Sequence, residues 1–199
     1  MTRPASTSSQ DDLALAQRCA AGDRAAQRAF FQRQREQVHR TLFRVLGSNR
    51  DVEDLIQDTF IEVFGSLASF RGESSLNTWV DTIAARVVYK HLSRRASNVY
   101  PLPTTPERPD SSSDPEHAAA MRHAVSHLYA LLDRLEPKHR IAYTLHVIDG
   151  RPIKEVARVM RCSVLAVKNR VWRARRSVHE RAARDPTLRE FIGSSRAAL

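Results

Sequence analysis

Twenty-one residues from Ser97 to His117, SNVYPLPTTPERPDSSSDPEH, hold five of the nine prolines in this 199-residue chain. Each proline removes a backbone donor, and the surrounding Ser, Thr and Asp cannot bury enough apolar surface to fold alone. The stretch therefore reads as an extended linker over 97–117. Whatever folds must do so on either side of it.

Both sides carry a helical period. Upstream, a short pattern starts at Asp11 (Leu13, Ala16, Ala20) and closes at Gly22. Asp23 is placed to cap a longer helix reaching Leu46, with Phe30, Val38, Leu42 and Val45 inward. A third helix over 51–67 turns Leu55, Phe60, Val63, Phe64 and Leu67 to its apolar side. A fourth, over 76–95, turns Leu76, Trp79, Val80, Ile83, Val87 and Leu92 inward. Downstream, Val125, Leu128, Leu131, Leu132 and Leu135 share one face, and Pro137 precedes a helix over 139–148. No alternating strand pattern and no internal repeat occur. The expected fold is all-α: two small helical domains, 11–96 and 118–184, with a disordered N-terminus over 1–10 and a C-terminal tail over 185–199.

The last third holds the clearest motif. Residues 153–160 make a short helix with Ile153, Val156, Ala157 and Met160 inward, and Ala157 is small enough for two helices to cross closely. Arg161-Cys162-Ser163 is a turn, and Ser163 suits the N-cap of the next helix. That helix repeats Val164, Val167, Val171, Ala174 and Val178 at spacings of three and four, which predicts a buried stripe. Lys168, Asn169, Trp172, Arg173 and Arg176 fall on its outer face. Arg and Asn suit bidentate contacts to guanine and adenine in the major groove, and Lys and Arg hold phosphates. Short helix, turn and basic helix together describe a helix-turn-helix over residues 153–176. Arg161 stands where such turns often use Gly; at positive φ it costs about 1 kcal/mol.

Charge placement supports this. The formal net charge is +10, and residues 138–185 contain 13 Lys or Arg against 4 acids. A polyanion partner follows for that part, because phosphate neutralisation releases counterions. Residues 51–62 reverse the sign, with five acids and no base. Asp51, Asp54, Asp58 and Glu62 recur at three and four, with Gln57 beside them. A solvated face is one use of such a stripe; in so basic a chain, a basic protein surface is the better one. Two different partners are implied.

The loop from Phe70 to Leu76 leads to Trp79, and Arg86, Tyr89, Lys90, Arg94 and Arg95 follow on one helix. Aromatics beside cations suit unstacked bases of single-stranded nucleic acid; taken by themselves, Phe70 and Trp79 read better as core, and it is the cationic run from Arg86 to Arg95 that favours the nucleic-acid reading. Other chemistry finds little support. Cys19 and Cys162, far apart and outside any C-x-x-C pattern, read as reduced residues filling small apolar gaps. His123 and His127 stand at i, i+4 without a third ligand and read as solvent-facing. No phosphate loop, nucleophile motif or acid–base pair is evident, so no enzyme, metal or cofactor is expected. Neither a membrane span nor a signal peptide is expected. A stand-alone transcriptional regulator, or an interaction protein working through its acidic helix alone, remain as rival functions.

These pieces occur together in one family. D-L-I-Q-D-T-F from Asp54, S-F-R-G-E-S-S from Ser69, and Val-x-x-Val-Lys-x-Arg-x-x-Arg-Ala-Arg from Val164 to Arg175 resemble the extracytoplasmic-function (group IV) sigma factors over most of residues 11–184. The resemblance implies a cytoplasmic protein that directs RNA polymerase core to promoters and initiates transcription. Residues 11–96 would be region 2, with Asp54, Gln57 and Asp58 on the β′ coiled coil. Phe70, Arg71, Ser74, Trp79, Arg86 and Lys90 would meet the −10 element and its single strand; at 86 and 90 family members often carry Asn. Residues 118–184 would be region 4, with Lys168, Asn169, Trp172, Arg173 and Arg176 on duplex DNA at the −35 element. The β flap and an anti-sigma factor are further implied partners.

Overall fold

The computed structural model describes the backbone of residues 6–97 and 115–189 and the side chains of 10–95 and 119–189. Most of the expected linker and the last ten residues lie outside that range. Eight α-helices make up the described chain: α1 (Ser6–Ala20), α2 (Arg24–Leu46), α3 (Val52–Ser66), α4 (Leu76–Ser97), α5 (Pro115–Leu132), α6 (Pro137–Tyr143), α7 (Ile153–Val159) and α8 (Val164–Ala182). No strand occurs among the described residues, and the all-α, two-part fold class holds.

The local signals act as expected at several ends. Asp23 accepts hydrogen bonds from Ala25 N and Ala26 N, both 3.0 Å, and Gly47 closes α2 in the left-handed conformation at φ 75°. Ser163 caps α8 by accepting from Ala166 N at 3.1 Å. Pro137 occupies the first position of α6, where its missing N–H costs nothing. α1 begins at Ser6, so 6–10 are helical rather than disordered. Once Ala16 and Cys19 are buried, extending the helix backwards requires no new nucleus. The helix expected over 139–148 ends differently: after Tyr143 the chain widens into a π-turn, Thr144–Ile148. The tail folds back in part, with a helical turn over 186–189 that buries Leu188 against Ala124 and Leu131.

Long-range caps knit the first four helices. Asp12, nearly buried, takes the N–H of Leu76 at 2.9 Å and the guanidinium of Arg33 at 3.2 Å. It thereby caps α4 from α1, assisted by Ser75, which accepts from Thr78 N. An N-terminal carboxylate and a hydroxyl satisfy donors that the helix itself leaves open.

The two helical groups share a core. One continuous apolar cluster contains Phe30, Leu42, Val63, Leu76 and Val88 from the first group and Ile141, Leu145, Val156, Val167 and Val171 from the second. A second cluster, Tyr129, Leu132, Leu135, Ala174 and Val178, joins α5 to α8. Polar contacts cross the same seam. Arg140, 2% exposed, donates from Nε to Val45 O at 2.7 Å and from Nη2 to Leu46 O at 2.9 Å. These are carbonyls of the last turn of α2, so a cation on α6 satisfies open acceptors and the dipole of a helix in the other group. Arg151 reaches Asp81 Oδ2 at 2.6 Å and Thr41 Oγ1 at 2.9 Å, and Arg44 pairs with Asp149. Tyr129 packs its ring on Gly47 and donates to Arg44 O at 2.9 Å. The two helical domains expected on either side of the linker are, in this structure, packed together.

Candidate nucleic-acid and polymerase interfaces

Helix α8 is held by its valines. Val167, Val171, Ala174 and Val178 are buried, while Val164, expected in the stripe, is 36% exposed. It sits in the first turn, ahead of the buried stripe, and is only partly covered. Leu165 is 66% exposed and Trp172 61%; sequence reading passed over Leu165. Exposed apolar groups beside basic ones are of the kind that can meet a thymine methyl in a major groove.

Lys168, Asn169, Trp172, Arg173 and Arg176 all stand exposed on one face. Arg176 stacks over Trp172 at 5.8 Å and pairs with Glu180 at 2.8 Å. That hydrogen bond raises the Arg176 pKa and lowers that of Glu180. Among the described residues, no carboxylate holds Lys168 or Arg173. The face is cationic and open.

The turn before α8 is a Schellman motif: Cys162 N donates to Ala157 O at 3.0 Å and Arg161 N to Arg158 O at 3.1 Å. This closure requires a left-handed residue at the position after the cap, and Arg161 takes it at φ 47°, the one positive-φ residue other than glycine among the described residues. Arg161→Gly is expected to raise stability by about 1 kcal/mol in urea unfolding. No gain would mean that the Arg161 side chain repays the strain through its own contacts. Cys19 and Cys162 are both free thiols; burial raises the Cys19 pKa, and nearby Asp23 adds to that effect.

The acidic stripe on α3 divides. Asp54, Gln57 and Asp58 are exposed, and no cation among the described residues pairs with either aspartate. Ile61, 62% exposed, extends the same face by one turn. The ends of the stripe are taken up by α4. Asp51 lies 3.4 Å from His91 Nε2 and 3.7 Å from Arg95. Burial holds the His91 pKa below its ordinary value, against the pull of Asp51. Glu62 receives Arg86 Nη2 at 2.5 Å and Lys90 Nζ at 2.8 Å. Burial works to raise the Glu62 pKa, but these two cations carry it below the usual value. Arg86 and Lys90 are therefore exposed yet already share one carboxylate, which offsets one of their two charges.

Around the loop, Arg71 is exposed and Ser74 half-buried. Phe70 is 6% exposed and meets half-buried Trp79 edge-on, with ring centroids 5.5 Å apart. Phe70 is core; it braces the loop from below and offers no free ring face. His127 likewise departs from the expectation of a solvent-facing residue: it is half-buried, with Nδ1 2.8 Å from Asp185. The partner is 58 residues downstream, which hides the pairing from any local reading.

An all-α protein with an open cationic helix-turn-helix face and a separate acidic face defines a DNA-binding protein with a second macromolecular partner. Comparison with known proteins makes this specific. The family models described as sigma-70 region 2 and sigma-70 region 4 match residues 30–98 and 127–178. The chain is 28% identical over 179 residues to the ECF RNA polymerase sigma-E factor of Haemophilus influenzae, covering 85% of this chain and 94% of that one. It is 26% identical to the RNA polymerase sigma-H factor of Pseudomonas aeruginosa, covering 91% and 97%. Among solved structures, CnrH in complex with the cytosolic domain of CnrY matches with a TM-score of 0.60 at 24% identity, covering 87% of this chain and 98% of that one. The chain belongs to the extracytoplasmic-function sigma factors, which direct RNA polymerase to promoters and are initiation factors rather than catalysts. Among the described residues, no helix is long and apolar enough to cross a membrane.

Proposed function

We propose that promoter recognition is divided between the two faces described above. Region 4, built on residues 118–184, sets α8 in the major groove of the −35 element. Lys168 and Arg173 hold phosphate or guanine there, Asn169 reads a base edge, and Leu165, Trp172 and Arg176 complete the contact. Region 2, built on residues 11–96, docks Asp54, Gln57 and Asp58 on the coiled coil of the β′ subunit. It meets the opened −10 strand with Arg71, Ser74 and Trp79, with Phe70 as a brace. Arg86 and Lys90 join once DNA phosphate competes with Glu62 for them. The β flap meets region 4. An anti-sigma factor covering these surfaces is supported by the solved relatives, one of which is a sigma factor RpoE bound to the anti-sigma factor NepR from Bartonella quintana. Work of this kind takes place in the cytoplasm.

One observation carries this reading: Asp54 and Asp58 keep their charge unpaired in a chain of +10, while the cationic face of α8 stays open on the other group. Run-off transcription with core polymerase tests it. Promoter-dependent transcripts should appear only when the protein is added, and Arg173→Ala should lower −35 duplex binding about tenfold or more. DNA binding with no transcript above core alone would instead favour a stand-alone regulator.

A further inference from the structure

We propose that the protein binds a free nucleoside phosphate in a cavity walled by α4, α6, α8 and the turn after α7, with Arg161 as a clamp on the phosphate. None of Lys168, Asn169, Trp172, Arg173 and Arg176 lines this cavity, and neither do Asp54, Gln57 and Asp58.

Three observations carry it. The first is shape. The cavity holds about 260 Å³, the size for one small molecule rather than for a helix of a partner protein. Ala85, Ile141 and Val159 form a buried floor, and half-buried Tyr89 and Met160 stand beside it. An apolar floor with a few converging polar groups is the usual build of a small-molecule site. A planar base fits such a surface, and the methionine side chain adapts to its outline.

The second is charge. Arg86, Lys138, Arg161 and Arg170 reach the cavity from α4, α6, the turn and α8. No carboxylate among the described residues lines it. Arg86 shares Glu62 with Lys90. Lys138 stands over the Tyr89 ring at 5.7 Å. Arg170 donates to the sulfur of Cys162 at 3.2 Å, a weak acceptor that leaves its charge intact. Among the described residues, no carboxylate pairs with Lys138, Arg161 or Arg170. Three uncompensated cations around one opening attract a multiply charged anion. Arginine forks match phosphate oxygens in pairs, which favours phosphate over a lone carboxylate.

The third is strain. Arg161 holds φ 47°, a conformation that glycine adopts without cost. Its backbone closes the turn as that of glycine would, so the side chain adds nothing to the closure. Among the described residues, its guanidinium makes no hydrogen bond or ion pair to offset the cost. Strained residues of this kind collect at ligand clamps. An arginine kept at such a position, on the wall of a cationic cavity, finds its partner in the ligand.

Isothermal titration calorimetry of the full-length protein at about 0.15 M salt tests the site with neither polymerase nor promoter present. Guanosine diphosphate and adenosine diphosphate should each bind once per chain and raise the melting temperature. Inorganic pyrophosphate, which has the charge without the base, should bind about tenfold more weakly. Arg161→Gly should weaken nucleotide binding about tenfold or more, the worth of one charge-assisted hydrogen bond. Its melting temperature without nucleotide should hold or rise, an outcome that loss of a structural contact would not give. Arg170→Gln should weaken binding to a similar degree, with circular dichroism as its control for folding. Pyrophosphate binding as tightly as the nucleotides, or unchanged affinity in Arg161→Gly, would overturn the site. So would a failure to saturate by about 1 mM nucleotide. A short single-stranded oligonucleotide that outcompetes both nucleotides, and loses as much in Arg161→Gly, would overturn it by assigning the four cations to DNA. Each of these outcomes leaves the sigma reading to the run-off transcripts.

Discussion

Asp54→Arg combined with Asp58→Arg should abolish recovery of the protein with core RNA polymerase, a loss of roughly 100-fold or more in affinity. The two carboxylates stand one helical turn apart on the exposed side of α3, beside Gln57 and the bare side chain of Ile61. They differ from their neighbours in the same stripe. Asp51 is engaged by His91 and Arg95, and Glu62 by Arg86 and Lys90. An acid already paired offers little to a partner, whereas one in water with no cation near retains its full field. Reversal turns two attractions into two repulsions at a basic surface. Because both side chains are exposed, helicity should stay at the wild-type level, and so should binding of the free protein to a −35 duplex. Unchanged co-purification would remove α3 as the docking face.

Gly47→Ala should lower the melting temperature by about 10 °C, from a loss of roughly 3–4 kcal/mol. Two effects combine. Gly47 has φ 75°, which costs an L-residue about 1 kcal/mol. Its new methyl would also fall 2.1, 2.3 and 2.5 Å from three ring atoms of Tyr129. The ring must then move, which gives up its burial and the hydrogen bond to Arg44 O. Gly22 supplies the control. It has φ 85° and nothing within 4 Å of a Cβ, so Gly22→Ala should show only the conformational cost of about 1 kcal/mol. Adding Tyr129→Ala to Gly47→Ala should recover the steric part, so the two changes will not be additive. Equal costs at Gly22 and Gly47 would show that the ring gives way freely and that the contact contributes little.

Much of the candidate functional surface was legible from spacing. Lys168, Asn169, Trp172, Arg173 and Arg176 lie on one exposed face because α8 buries Val167, Val171 and Ala174 at helical intervals, and a period of 3.6 leaves the rest outside. Asp23, Gly47 and Ser163 act at helix ends through groups within three or four residues, so their roles can be read from local sequence. Arg161 at positive φ was legible for the same reason: the Schellman closure is local. Val164 misled because its position matched the period, but it stands in the first turn of α8, which is only partly covered. Phe70 was ambiguous because an aromatic residue in a loop has the same signature whether it faces a base or a core.

The linear order of residues determined the helices, their inward faces, the polar linker between the groups and the opposed charges of α3 and α8, since each depends on neighbours a few positions away. Tertiary structure alone decided which charges remain available. Glu62 meets Arg86 and Lys90 across 24 and 28 residues, Asp12 caps α4 across 64, and Arg140 reaches the end of α2 across 95. Side chains separated by such loops have no periodic relation in sequence, and their pairing is set by which apolar faces pack together. The helix-turn-helix is written in the chain; its packing against region 2 is written only in the fold.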